Sequence, residues 1–288
     1  MTQRPLVSIV TPVYNGSNFI EELIVSVRDQ TYPNIEHIII DDGSTDGGKT
    51  VEILKKYPHL RWWTRANKGQ YATLNEGFRE AKGDWVTTIS HDDRYYDNTA
   101  IEALVHHAET HPKADVVHGA TRFIDPDGYP YAMQRRHKYP LWVLPYHFFV
   151  WHCSLIVRTT SLRQHDLYFN EALKFTGDGD WTLRMMGAGL KFSMVDRIIA
   201  DWRRHPEQTT TRADVDPKVH EAREAERIRY RDLYQRNNFL RAIVKFWLSI
   251  ERFWRIGSAF ARGYRRKNGE WISPSDRARD TQAKGDTR

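Results

Sequence analysis

Five short β-branched and apolar runs, each leading into a polar cluster or a helical pattern, constrain this chain more than any other feature. The runs are Leu6 to Val10, His37 to Asp41, Leu60 to Thr64, Trp85 to Ser90 and Val116 to Ala120. Stretches such as Phe19 to Gln30 and Tyr71 to Ala81 carry helical spacing between them. Strands that are apolar along their whole length need cover on both faces, and intervening helices supply it. The alternation therefore predicts an α/β fold with a doubly wound, mostly parallel sheet. In such sheets ligands bind beyond the carboxyl ends of the strands, so the residues that follow each run are the ones to inspect.

Four of the runs lead into Thr11-Pro-Val-Tyr-Asn15, Asp41-Asp-Gly-Ser-Thr-Asp46, Asn67-Lys-Gly-Gln70 and His91-Asp-Asp93. An Asp-Gly-Ser turn alone is ordinary loop and helix-cap chemistry. Turn chemistry does not require adjacent carboxylates at successive strand ends, and that recurrence points to a ligand. A base and ribose need a hydrogen-bond acceptor and a flat surface, which Asp42 and the ring of Tyr14 provide. Asp92 and Asp93 are poor phosphate partners alone, but they suit Mg²⁺ or Mn²⁺, which keeps waters and takes substrate oxygens as ligands.

The 288 residues suffice for one large core and an appendage, and no run approaches the roughly 18 uncharged apolar residues of a membrane span. The polar start carries no cleavable apolar leader, so a cytoplasmic protein is expected, free or held at the inner membrane face. A single cysteine, Cys153, excludes an internal disulfide and a cysteine-rich zinc site. The net charge of +6 is concentrated late, between Lys218 and Lys267. After Phe123 the texture changes: Asp125-Pro-Asp-Gly128 reads as a turn, and Tyr139 to Trp151 as an irregular, partly buried connection suited to an acceptor. The expected organisation is a catalytic domain over 1–213, a basic helical extension over 214–270 and a polar, disordered tail over 271–288. In the extension Phe239, Phe246, Phe253 and Phe260 recur every seven residues, flanked by Arg241, Lys245 and Arg252. Such a stripe over 239–262 either lies in an anionic membrane interface, docks on the catalytic domain or pairs with a second protomer as a homo-oligomer. A nucleic-acid partner is not expected, because the aromatics form an apolar face and not separated stacking platforms.

In the order of its motifs the chain resembles the inverting family 2 glycosyltransferases of the GT-A fold, over roughly the first 210 residues. The resemblance implies a nucleoside-diphosphate sugar as donor and Mg²⁺ or Mn²⁺ as cofactor. It also implies an acceptor hydroxyl on a growing polysaccharide or lipid-linked glycan. Thr11, Pro12 and Tyr14 match the element whose aromatic ring lies on the base, and Asp42 the aspartate that contacts it. Asn67, Lys68 and Gln70 then fall near the nucleotide. Ser90-His-Asp-Asp93 stands for the family's D-x-D-D element, with Ser90 in place of its first aspartate, so Asp92 serves the donor and Asp93 the metal. Asp178 takes the position of the catalytic base, with Gly177 where the family carries glutamate and Asp180 as a competing assignment. His205 matches a histidine that reaches the metal or diphosphate. Asp178 read without the resemblance is a helix cap and His205 a solvated side chain, while His152 either faces the acceptor or is packed or hydrogen-bonded. Two rivals share the sheet: a sugar-1-phosphate nucleotidyltransferase, which would want a glycine-rich basic loop after the first strand, and a non-catalytic sugar-nucleotide or glycan binder.

Overall fold

The computed structural model describes residues 4–133, 140–235, 237–246, 249, 265–267 and 270–272. Its first half follows the alternation of the sequence. β1 (Val7–Val13), β2 (Ile35–Asp41), β3 (Arg61–Thr64) and β4 (Trp85–Thr88) pair in parallel, in the order β3-β2-β1-β4. The register joins Val13 to Asp41 and Asp41 to Thr64, so three strands end on one edge and present their loops together. Every residue of β1 is buried, as expected of a strand covered on both faces.

The helices lie where their apolar spacing directs them. α1 (Ile20–Arg28) buries Ile20, Leu23, Ile24 and Val27, one face at i, i+3, i+4 and i+7, and carries Glu21 and Glu22 in its first turn, where the helix dipole favours acids. α2 (Lys49–Lys55) follows the second polar cluster. α3 (Gln70–Glu80) packs so closely on β1 that a Cβ on Gly77 would stand 2.3 Å from Val10 Cγ1, and this approach brings its first residues beside the end of β1.

Beyond β4 the sheet becomes mixed. β5 (Arg94–Tyr95), α4 (Ala100–Thr110), β6 (Val116–Ile124), β7 (Pro130–Met133), β8 (Leu155–Arg158), α5 (Thr159–Gln164), α6 (Gly177–Gly187) and β9 (Phe192–Arg203) follow in sequence. β8 inserts antiparallel between β4 and β6, and β9 runs parallel to β6 with register shifts near Ala120. The connection read as irregular up to Trp151 is so from Pro140 onward; it buries Val143, Leu144, Phe149 and Val150 and contains only a short turn of 3₁₀ helix, Leu141–Val143.

The compact unit that holds this sheet extends to Tyr234 and includes α7 (Thr209–Val215) and α8 (Pro217–Tyr234), the first helices around the boundary drawn at 213. A second unit runs from Gln235. Within it residues 238–246 are helical, Phe239 and Phe246 are exposed, and Arg265–Lys267 pairs with Glu270–Ile272. Phe253, Phe260 and the tail from 273 lie outside the described residues. Among the described residues no helix is long and apolar enough to cross a membrane.

Candidate active site

The loops after β1, β2 and β3 are stitched into one wall. Asn15 adopts a left-handed backbone (φ 51°), accepts the Thr45 N–H on its side chain at 2.7 Å and donates its own N–H to Ser44 Oγ at 2.8 Å. Gly43 (φ +73°) passes so near the third loop that a Cβ would sit 2.9 Å from Arg65 O and Asn67 N, which leaves glycine as the residue that fits. Asp42, buried, accepts the N–H groups of Lys68 (2.8 Å) and Gly69 (2.9 Å) and pairs with the Arg65 guanidinium. Its carboxylate therefore builds the loop that presents Asn67 and Gln70, and it also lines the cleft beside Pro12 and the half-exposed ring of Tyr14. Two expected contacts are placed elsewhere. Thr11 is fully buried with its hydroxyl 3.1 Å from His37 Nε2, and Lys68 contributes its backbone while its exposed side chain is not part of the cleft lining.

The two aspartates after β4 divide their work. Asp92 faces the cleft; its Oδ2 lies 2.9 Å from His205 Nε2 and accepts the Gln208 amide at 3.3 Å. Burial opposes ionisation of Asp92, but the His205 hydrogen bond and the potential of His91 and His205 outweigh it and hold the carboxyl below its usual range. Asp93 sits behind, outside the cleft lining, and accepts the Arg203 N–H at 2.8 Å. Burial, reinforced by the Asp92 charge, pushes its carboxyl well above the usual range. Asp93, expected at the metal, therefore does not line the cleft, and Asp92 is the carboxylate that does. Arg203, 1% exposed, gathers the site's edge by donating to Asp92 O (2.8 Å), Pro126 O (2.9 Å) and Glu22 (2.5 Å). Its guanidinium lies over the Phe19 ring, which packs in turn on His205 at 4.8 Å. His205 is buried, so the solvated reading does not hold.

Among the described residues no three His, Cys, Asp or Glu side chains converge as a closed metal cage. Asp92 and His205 form an open pair of one oxygen and one nitrogen donor, which suits a cation that completes its sphere with diphosphate oxygens and water. The imidazole favours Mn²⁺ over Mg²⁺ in such a set.

Asp178, in the first turn of α6, lines the same cleft. It is not the helix cap: the N-cap position is Thr176, and no side chain there bonds the helix amides. The imidazole of His152, nearly fully buried, places Nδ1 3.0 Å from Asp178 Oδ2 as a charge pair, and its Nε2 lies 3.5 Å from Ser90 Oγ. Burial alone would lower the His152 pKa; the charges of Asp178, Asp93 and Asp92 override it and raise it to about 9. Tyr71 reaches Asp178 Oδ1 at 3.4 Å, and burial together with that charge pushes its phenol well above the ordinary range. Gly177 explains how the ring enters, because a Cβ there would stand 2.4 Å from Tyr71 Cε2 and Cζ. Asp180, the competing base, has both oxygens occupied, by Arg184 Nε (2.8 Å) and the Tyr234 hydroxyl (2.7 Å), and does not line the cleft. Sequence reasoning missed Tyr71, Arg65 and Arg203 and left His152 as facing the acceptor, packed or hydrogen-bonded, since Tyr71 meets Asp178 and Arg203 meets Asp92 from more than a hundred residues away.

Tyr14, Asp42, Asp92, His152, Asp178 and His205 share one cleft of about 530 Å³, a size in the range of small-molecule sites. The sequence profile of Glycosyl transferase family 2 matches residues 8–174. An uncharacterized glycosyltransferase of Rickettsia bellii is 33% identical over 216 residues, 72% of this chain, and the chain spans only 31% of that relative's length. Chondroitin synthase of Pasteurella multocida is 28% identical over 75% of this chain and 22% of its own. Among solved structures, S. aureus TarS 1-349 in complex with UDP-GlcNAc superposes with a TM-score of 0.62 at 24% identity, covering 75% of this chain and 64% of TarS 1-349. The mannosyltransferase PcManGT of Pyrobaculum calidifontis, in complex with GDP-Man and Mn²⁺, gives 0.56 at 17% identity, covering 79% of this chain and 65% of its own. The fold is therefore that of the GT-A glycosyltransferases, and the chain belongs to glycosyl transferase family 2.

Proposed function

We propose that this chain transfers a sugar, with inversion, from a nucleoside-diphosphate donor to a hydroxyl of a growing polysaccharide or lipid-linked glycan. The observation that carries the reading is that Asp178, the Asp92–His205 pair, Tyr14 and Asp42 line one cleft. A structural neighbour binds UDP-GlcNAc, another GDP-Man with Mn²⁺, and a relative is a chondroitin synthase, which supports this class of donor and acceptor.

In this reading the ring of Tyr14 takes the base, and Asn67 and Gln70 border the nucleotide. Asp92 and His205 hold the divalent cation, whose chemistry when bound is to neutralise the diphosphate and stabilise the charge that grows as it leaves. Asp178 accepts the acceptor's proton while the hydroxyl oxygen bonds to the anomeric carbon and the bond to the diphosphate oxygen breaks. A carboxylate is a weak base for an alcohol, so proton transfer accompanies attack and positioning supplies much of the rate. His152 keeps a positive charge against Asp178 and Tyr71 bounds its other oxygen, so the carboxylate has one orientation. An acceptor anchored in lipid would bring the enzyme to the inner membrane face, where exposed Phe239 and Phe246 beside Arg241 and Lys245 offer rings and cations to an anionic surface.

The test is nucleoside diphosphate release from a panel of UDP- and GDP-sugars, with Mn²⁺ or with EDTA, in wild type and Asp178→Asn. We expect metal-dependent release that drops at least about 10³-fold in the variant, the scale of a lost general base with its positioning. Unimpaired release by Asp178→Asn removes the base assignment. Metal-dependent nucleotide binding without release from any donor favours the non-catalytic binder.

A further inference from the structure

One face of α8, a helix downstream of the segment that the family profile matches, is spent on the helix that carries Asp178. Glu226, Tyr230 and Tyr234 follow at four-residue spacing and so share that face. The Glu226 carboxylate accepts the N–H groups of Lys174 (2.8 Å), Phe175 (2.9 Å) and Thr176 (3.1 Å), and the Thr176 hydroxyl at 3.2 Å. These amides form the turn into α6, where the local sequence supplies no cap of its own. The Tyr230 ring lies against Gly179, where a Cβ would stand 3.0 Å from its Cε2. The Tyr234 hydroxyl donates to Asp180 Oδ1 at 2.7 Å. The three contacts bracket Asp178 on both sides.

We propose that α8 is a positioning element of the active site, in which Glu226, braced by Tyr230 and Tyr234, sets where Asp178 meets the acceptor hydroxyl. The proposal rests on Asp178 being the base, because the clamp acts through it. A carboxylate that receives three successive amides holds their direction as well as their charge. Water in its place would satisfy the same amides without directing the segment. Misplacement of a reacting group by about 1 Å costs about 10²-fold in rate, so the loss belongs in kcat. Tyr14 and Asp42 are held by other loops, through Thr45 and through Arg65 and Gly69, so the clamp does not set their contacts with the nucleotide.

The experiment compares the full chain with Glu226→Ala, Glu226→Gln and Tyr234→Phe. It measures release from the best donor of the panel, binding of UDP and GDP with Mn²⁺, and hydrogen exchange at residues 174–176. Glu226→Ala should lose about 10- to 100-fold in kcat, with donor KM and nucleotide binding within about twofold and exchange at 174–176 accelerated at least about tenfold. Glu226→Gln, whose amide oxygen still accepts, should recover most of the loss. If Glu226→Ala fails to fold, Tyr234→Phe carries the test, with an expected loss of about fivefold for one hydrogen bond. An unchanged kcat in Glu226→Ala beside an inactive Asp178→Asn overturns the clamp and leaves the base standing. Unchanged exchange at 174–176 overturns it whatever the donor, and a fully active Asp178→Asn sinks the base and the clamp together.

Discussion

Replacing His152 by Gln removes the cation from beside Asp178 while keeping much of the side-chain volume. His152 is buried and its pKa stands at about 9, above the ordinary 6.5, because the charges of Asp178, Asp93 and Asp92 outweigh the cost of burial. At about 1.4 kcal/mol per pH unit, that difference corresponds to about 3 kcal/mol of folding stability. The sign follows from the raised value in the fold. Protonation is favoured in the folded chain, so the contribution is fully present below pH 6.5, declines between 6.5 and about 9, and is gone above. Urea unfolding of wild type and His152→Gln at pH 6, 7, 8 and 9.5 reads it directly, because titrations common to both proteins cancel in the difference. We expect a gap of about 3 kcal/mol at pH 6 that closes toward pH 9.5, apart from a pH-independent offset for altered packing. A gap that stays constant across the series would show that the His152 pKa is not raised in the fold, and a gap that narrows toward pH 6 would show that it is held neutral; either result would end the charge pair with Asp178.

Gly177→Ala should destabilise by about 1–3 kcal/mol through overpacking against the Tyr71 ring, and in a Tyr71→Ala background the same change should cost much less. Thermal unfolding of the four proteins of this cycle checks it, and strict additivity would contradict the contact. Acid should unfold the chain early. Burial drives the His37 pKa down to about 3 and that of His118 to about 4, so both stay neutral in the fold and take up protons on unfolding. Their stabilisation is present above pH 6.5 and lost as pH falls toward 4, at up to about 1.4 kcal/mol per pH unit for each. Urea midpoints at pH 6.5, 5.5 and 4.5 test this, and a flat series would refute it.

The parallel half of the sheet was legible in the chain because its strands are continuous apolar runs and α1 and α3 repeat their apolar positions at helical spacing. Those are local signals, and burial on both faces enforces them. β9 was not legible: Asp196, Arg197 and Asp201 interrupt its run, and it becomes a strand by pairing with β6 along Val116 to Ile124. The two-residue β5 exists likewise through Arg94 and Tyr95 meeting Asp201 and Ala200.

The amino-acid sequence by itself determined the fold class, the four polar clusters at strand ends and the residue types that a nucleotide and a cation need. Tertiary structure alone decided which member of each cluster faces the cleft, since the path of the loop and the partners that meet each side chain set its direction, and the Asp93 N–H closes a turn onto Ser90 O between β4 and β5. Asp92 and Asp93 part company for this reason, one beside His205 and the other under Arg203. Asp178 and Asp180 are separated by the turn of α6 and by what each meets, His152 for the first and Arg184 with Tyr234 for the second. The partners that fix these choices come from 54 to 113 positions away in the chain for Tyr234 on Asp180 and His205 on Asp92, a distance at which no local pattern carries information.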